Sequence, residues 1–352
     1  MRLVKSPLFI LLACGALSLA ACGGGGDDDD TSGDQGGNTD DGSSSDDGAA
    51  DDGGDAATVN PDGVDNTYVI DSVVVPANAN EAQDVALDID GNGTKDNKLG
   101  GLLGSLSSFV GDIQSLVEEQ VAKGGIILLA NVKATDLTAA SGVGLYVYLG
   151  ANPNPAPCAT PDDTECGLHL QGDGSFDIDP SSPTDAVVVG ATAGGKFTGG
   201  PGSVTIQLSL SELADPLSLT LSNAKSEVSV SADGLSDGIL GGALTIDSIN
   251  NDLLPAVATV IAGILADDGC DATATPCCEP GSTGEQILQV LDEGGVADGD
   301  CVITAEELAN NSFVSATLGS PDVDLDGDGT DDAVSLGIGF SAVTGTFTPP
   351  AP

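Results

Sequence analysis

The chain lacks tryptophan, has one arginine (Arg2) and one histidine (His169), and carries only 3% aromatic residues in 352. Each shortage removes a class of function. Nucleic-acid binding needs cationic side chains that displace counterions from phosphates. Here 8 Lys+Arg stand against 55 Asp+Glu, a formal net charge of −47. With no arginine after Arg2, bidentate recognition of phosphate or carboxylate ligands is out of reach as well. A lone histidine excludes His-based zinc centres and multi-histidine mechanisms. Scarce aromatics leave little for the stacking platforms common in sugar-binding sites. The small partners that suit so negative a surface are cations. Apolar residues are not short: 40% of the chain is hydrophobic, mostly Ala, Val, Leu and Ile, which is enough for a packed core.

The first residues, Met1-Arg2-Leu3-Val4-Lys5, are a short basic start, and the apolar run Leu8–Leu19 follows. That run is shorter than the roughly 20 residues of a bilayer span but suits a signal-peptide core of about 7–15. Leu19-Ala20-Ala21-Cys22 resembles the bacterial lipobox. The resemblance implies a lipoprotein signal peptide over 1–21, cleavage before Cys22 and lipidation of its thiol, with a membrane as partner through the lipid anchor. Gly23 after the cysteine, in place of Asp, favours an outer-membrane address by the same resemblance. Removal of 1–21 would leave six lysines and no arginine.

Residues 22–57 are Gly, Asp and Ser in low-complexity order, with Asp pairs at Asp40-Asp41, Asp46-Asp47 and Asp51-Asp52. Nothing there can bury apolar surface and like charges repel, so a disordered tether is expected. From Thr58 the texture changes, and 58–352 reads as the folded body. Tyr68-Val69-Ile70 and Val73-Val74-Val75 form a strand pattern ending at Pro76. Leu102, Leu106, Phe109, Ile113, Leu116 and Val117 recur at helical spacing, predicting one helix over 101–122. Strands are then expected over 126–134, 143–149, 168–178, 186–191, 203–210, 217–221 and 227–232, with a last strand pair over 334–347. Val204, Ile206 and Leu208 alternate with Thr205, Gln207 and Ser209, the mark of a sheet with one wet face. Gly194-Gly195 and Gly199-Gly200-Pro201-Gly202 read as turns between strands. Helices are expected over 253–265 and 285–292. The fold class is therefore mainly β with a few packed helices, an antiparallel β-sandwich-like body, with α+β as the alternative.

One chemical pattern occurs twice. Asp88, Asp90, Asn92 and Asp96 place oxygen side chains at positions one, three, five and nine of a loop, with Gly93 at six. Asp324, Asp326, Asp328 and Asp332 repeat this around Gly329. Such carboxylates repel in water, and a hard divalent cation that collects their oxygens at about 2.3–2.6 Å makes the loop favourable. The loops resemble those of thrombospondin type 3 repeats and the front half of an EF-hand, which implies Ca²⁺. Position twelve departs from the EF-hand: it is Leu99 in one loop and Ser335 in the other, not Glu. A third candidate within an EF-hand-like subregion, 283–332, has Asp298, Asp300 and Glu307 at positions three, five and twelve. Val296 and Cys301 occupy its first ligand and turn-glycine positions, and Asp292 is a possible substitute ligand.

Beyond Cys14 and Cys22, six cysteines remain: Cys158, Cys166, Cys270, Cys277, Cys278 and Cys301. An even number in an exported chain suggests disulfides, with Cys158–Cys166 as a local staple and Cys301 tied back to the 277–278 pair. His169 lies in the alternating Gly167-Leu168-His169-Leu170 and reads as a solvent-facing strand residue. Gly234-Leu235-Ser236-Asp237-Gly238 matches G-x-S-x-G, a match that 50 glycines make common. No helix pattern follows it, and the only histidine precedes it. Taken together, the chain resembles uncharacterised acidic envelope lipoproteins of bacteria with aspartate-rich calcium loops. The expectation is a calcium-binding, membrane-anchored envelope protein, structural or adhesive and not an enzyme. The competing expectations are a glycan or polymer hydrolase using a carboxylate pair, and a carrier of apolar ligands with 253–265 lining its cavity.

Overall fold

Period-two alternation, sustained over long stretches, determines the architecture. In Leu217–Ser231 the residues Leu219, Leu221, Ala224, Val228 and Val230 are buried while Ser218, Thr220, Lys225, Glu227 and Ser229 face outward. A strand with one apolar face must cover that face. Here it does so by joining a sheet that closes on itself. The computed structural model describes residues 58–103, 113–160, 163, 166–208, 217–292, 300–312, 314–315 and 320–350. The expected signal peptide, the tether with Cys22, and Asp298 lie outside the described residues.

Nine strands are described: β1 (Val64–Val74), β2 (Leu128–Ala134), β3 (Ala139–Asn154), β4 (Gly174–Ile178), β5 (Val188–Ala193), β6 (Lys196–Leu208), β7 (Leu217–Ser231), β8 (Gly234–Thr245) and β9 (Ala333–Thr346). Eight of them pair in chain order, all antiparallel, and β9 returns to pair with β1. The result is a closed barrel, so the sandwich-like expectation is corrected, while the mainly-β class with few helices holds. β4 is outside the ring. It pairs antiparallel with the tail of β3 and parallel with the end of β9, and so straps across the β1–β2 wall between them.

The barrel is filled, as eight strands allow. Ile70, Leu128, Leu145, Ile206, Leu240 and Ile338 point inward and leave a void of only about 10 Å³. The Tyr68 hydroxyl crosses this interior to donate to the Ser231 carbonyl at 2.8 Å, and burial pushes it up to about 12. Helices among the described residues accompany the ring: α1 (Ala79–Asp84), α2 (Ile113–Lys123), α3 (Ile246–Asp267, with a π-helical turn at Ile249–Leu253), α4 (Thr283–Leu291) and α5 (Ala305–Asn310). Residues 98–103 are also helical. Leu99, Leu103, Leu253, Leu254, Leu291 and Leu308 join the barrel residues in one core.

Several local expectations change, and curvature explains most of them. The glycines at 199–202 are not a turn but irregular pairing inside β6, where register shifts bend the strand. Residues 217–221 and 227–232 are one strand, β7, and 334–347 is one strand, not a pair. β8 lies outside the expected strands; Gly234, Gly238, Gly241 and Gly242 interrupt its apolar pattern. At Gly238 a Cβ would meet the Phe340 ring at 2.6 Å, so glycine there serves close approach of two bent strands. Residues 168–178 split into a 3-10 turn (Leu168–Leu170) and β4. Of the helix expected over 101–122, residues 104–112 lie outside the described residues.

Candidate metal centre

The two aspartate loops fold with the same wiring. In the first, Asp88 accepts from the Gly91 and Gly93 N–H groups at 2.8 and 3.0 Å. Asp90 accepts from Asn92 N at 3.0 Å, Asn92 from Thr94 N at 2.7 Å, and Asp96 from Ile89 N at 3.1 Å. In the second, Asp324 accepts from Gly327 and Gly329, both at 2.8 Å. Asp326 accepts from Asp328 N at 3.0 Å, Asp328 from Thr330 N at 2.8 Å, and Asp332 from Leu325 N at 3.0 Å. Each of these five bonds has its counterpart in the other loop; the first loop adds one more, from Asn92 Nδ2 to Asp90 Oδ2 at 2.9 Å. Gly93 and Gly329 have φ of +87° and +89°, a region only glycine enters freely, which brings the backbone N–H groups round onto the first aspartate. An isolated bridge closes each loop, Leu87 with Asp96 and Val323 with Ala333.

The loops are far apart in the chain but meet in space. Leu87, Ile89, Val323 and Ala333 form one buried cluster with Ala243 of β8, against which Leu325 packs. Asn97, directly after the first loop, is buried and spans to β9. Its Nδ2 donates to the carbonyls of Ala82 and Gly337, and its Oδ1 accepts from Gly337 N at 2.8 Å. Lys98 N donates to Ser335 Oγ at 2.8 Å, and Ser335 donates from N and Oγ to Asp322 at 2.9 and 2.6 Å. Lys225 of β7 places its ammonium on the Asp88 carbonyl at 2.6 Å. Asn97, Asp322 and Lys225 did not stand out in the sequence. Only Asp322 had a signal there, two residues ahead of Asp324 in an Asp-x-Asp-x-Asp run.

The carboxylates converge in two triads. One oxygen each from Asp88, Asp90 and Asp96 lies within 4.8 Å of the others, and the same holds for Asp324, Asp326 and Asp328. Metal–oxygen bonds of about 2.3–2.6 Å span such separations, and a donor set made only of oxygen suits a hard cation. Asp332 sits on the same loop as the second triad, and Asn92 contacts the first through its Nδ2, which donates to Asp90 Oδ2 at 2.9 Å. Asp96 is 7% exposed, and burial pushes its carboxyl up to about 6, with the charges of Asp90, Asp322 and Asp88 adding to the effect and the Ile89 N–H opposing it. Asp324 is held below the usual carboxylate range, chiefly by the Gly329 N–H.

At the third candidate the described residues have other local partners. Asp300 Oδ1 accepts from Val302 N, and Glu307 Oε2 accepts from Thr304 N in a capping box that starts α5. Position twelve of the supposed hand is thus a helix cap. Asp292 is buried at the end of α4. Cys301 pairs with Cys277, Cys158 with Cys166, and Cys270 with Cys278, at Cα separations of 6.1, 4.4 and 4.2 Å.

His169 corrects its expectation: it is fully buried in the 3-10 turn, not solvent-facing on a strand. Ser236 of the G-x-S-x-G match lies in β8, where Asp237 has φ +50° at a register shift; no strand-to-helix elbow forms. Leu253, Leu254 and Val257 line, with Leu99, Leu102 and Leu103, a space of about 20 Å³, roughly enough for one water. A wider recess of about 210 Å³ opens between Ile246, Ile249, Leu254, Ala309 and Val314. No family model, curated protein or solved structure matches this chain.

Proposed function

We propose that the protein is a calcium-stabilised, lipid-anchored envelope protein with a structural or adhesive role and no catalytic one. The supporting observation is the matched pair of loops: two segments separated by most of the body converge on one apolar cluster, with three carboxylates each and matching backbone-to-side-chain hydrogen bonds. Three like charges held within 4.8 Å in each loop repel one another, and Ca²⁺ ions at Asp88, Asp90 and Asp96 and at Asp324, Asp326 and Asp328 would offset that repulsion. Bound ions would tie the segment after β1 to the entry of β9, the strand that closes the barrel. Calcium in this reading is a clamp on ring closure.

The polarity of the wall supports a body that sits in water. Outward positions of β6 and β7 carry Gln207, Ser218, Thr220 and Glu227, while the interior is apolar. A membrane-spanning barrel has the opposite arrangement. α3 is long and apolar enough to cross a bilayer, but Leu253, Leu254, Ile261 and Leu265 face the core and Asn250, Asn251 and Asp252 are exposed. Membrane attachment in this reading belongs to Cys22.

Calcium titration with thermal melting tests the proposal. At free calcium ten times the dissociation constant, each site adds about 1.4 kcal/mol. The Asp324→Asn, Asp326→Asn double variant should lose about half of the calcium-dependent rise in Tm. Equal melting of chelated and calcium-saturated wild type would end the clamp reading.

A further inference from the structure

The strap formed by β4 covers the most aromatic part of an aromatic-poor molecule. Val69, Leu129 and Tyr148 project outward from β1, β2 and β3, Ile127 joins them just before β2, and Phe176 of β4 and Phe347 close over them. Tyr148 meets Tyr146 and Phe347 at ring separations of 6.0 Å. The strap is short. β4 has three paired positions with β3 and two with β9, and three side-chain bonds add to them: Asn152 Nδ2 to Asp177 at 3.0 Å, Ser175 Oγ to the Asn154 carbonyl at 3.3 Å, and Thr344 Oγ1 to the Gly172 carbonyl at 2.6 Å.

His169 stands at the head of this strap, in the turn between the Cys158–Cys166 bridge and β4. It is 0% exposed, and neither Nδ1 nor Nε2 has a hydrogen-bond partner. Its ring packs edge-on against Phe176 at 6.1 Å. Burying an unpaired polar ring is unfavourable, and burying its cation without a counterion is far more so. No charged group among the described residues faces it from the elements packed on it. In its own segment Asp163 accepts from Thr160, and Asp173 is exposed. On β4, Asp177 is exposed and accepts from Asn152. On β1, Asp65 accepts from Asn131, Asp71 from Ser341, and Tyr68 points into the barrel. β9 has no titratable residue. Burial raises both Tyr146 and Tyr148 above the ordinary phenol value.

We propose that His169 is an acid-released latch: protonation of its ring expels the turn at 168–170 and lifts β4, uncovering the aromatic wall while the eight-stranded ring stays closed. The ring survives because β4 contributes none of its pairings. Desolvation holds the histidine below its ordinary value of about 6.5, so the open form binds the proton more readily. Closure is therefore complete above about pH 6.5 and weakens as pH falls. The open-to-closed ratio rises tenfold per pH unit until the closed-state value is reached.

Because His169 is the only histidine, its imidazole C–H signals in the NMR spectrum are unambiguous. Their titration, and amide hydrogen exchange of 168–178, would be followed from pH 7.5 to 5 in the full chain and in His169→Leu, both in chelator so that the aspartate loops stay metal-free. The expected result is a ring that titrates below the ordinary histidine value of about 6.5. Exchange at 168–178, corrected for intrinsic chemistry, should rise about tenfold per pH unit below that point in wild type only, with β6–β8 amides unchanged. A ring that titrates at about 6.5 with no rise in exchange overturns the latch. So does the same acid response in His169→Leu, or opening that takes β6–β8 with it. If the variant fails to fold, the wild-type titration and the location of its exchange still decide.

Discussion

Asp96 and Asp332 hold the same position in two loops with the same wiring, yet only Asp96 is buried. The difference has a consequence in pH. The folded-state value of Asp96, about 6, lies above the unfolded value of about 3.9, so the folded chain binds the extra proton between them. In metal-free protein that contribution is present below about pH 4 and is lost as pH rises through about 6. A bound cation stabilises the ionised form instead. The gap in Tm between calcium and chelator should therefore widen from pH 5 to pH 7, and Asp96→Asn should flatten the chelator curve over pH 4–6. A gap of constant size across that range would refute the account. The sequence displayed Asp96 as a ligand-type residue in the right place. It did not display the burial, which depends on Leu87 and Ile89 packing on Ala243 and Val323 from distant segments.

At the scale of elements, strands were readable where side chains alternate and were lost where the chain bends. β7 was seen as two pieces because Asn223 and its neighbours interrupt the apolar pattern, where the pairing to β8 shifts register. β6 was seen from 203 onward because its first half contains four residues of Gly199-Gly200-Pro201-Gly202. Glycine and proline ordinarily end strands, and in a tightly curved wall they bend them. The disulfides make a further element-scale test. Cys277 and Cys301 are 24 residues apart and join the segment before α4 to the residues before α5. Closing a loop of that length stabilises a fold by about 3 kcal/mol in the chain-entropy picture. Cys277→Ser with Cys301→Ser should lower Tm by several degrees while leaving the far-ultraviolet strand signal intact. A double variant that melts with wild type would show that the helical layer holds without the bridge.

For the whole molecule, the reading joins an acidic body to a lipid at Cys22, and mass spectrometry of the native protein tests it. The expected mass begins at a diacylated or triacylated Cys22, and Cys22→Ala should release the protein from membranes. An unmodified N-terminus elsewhere would refute the anchor. The acidity, the strand-rich class and the two Asp loops were legible because each is local: composition, period and spacing lie within a few residues of one another. Closure into a barrel, the meeting of loops 236 positions apart and the burial of His169 were not. Each is decided by which surfaces remain to be covered once the strands have formed, and that depends on the pairing of β1 with β9 across nearly the full body.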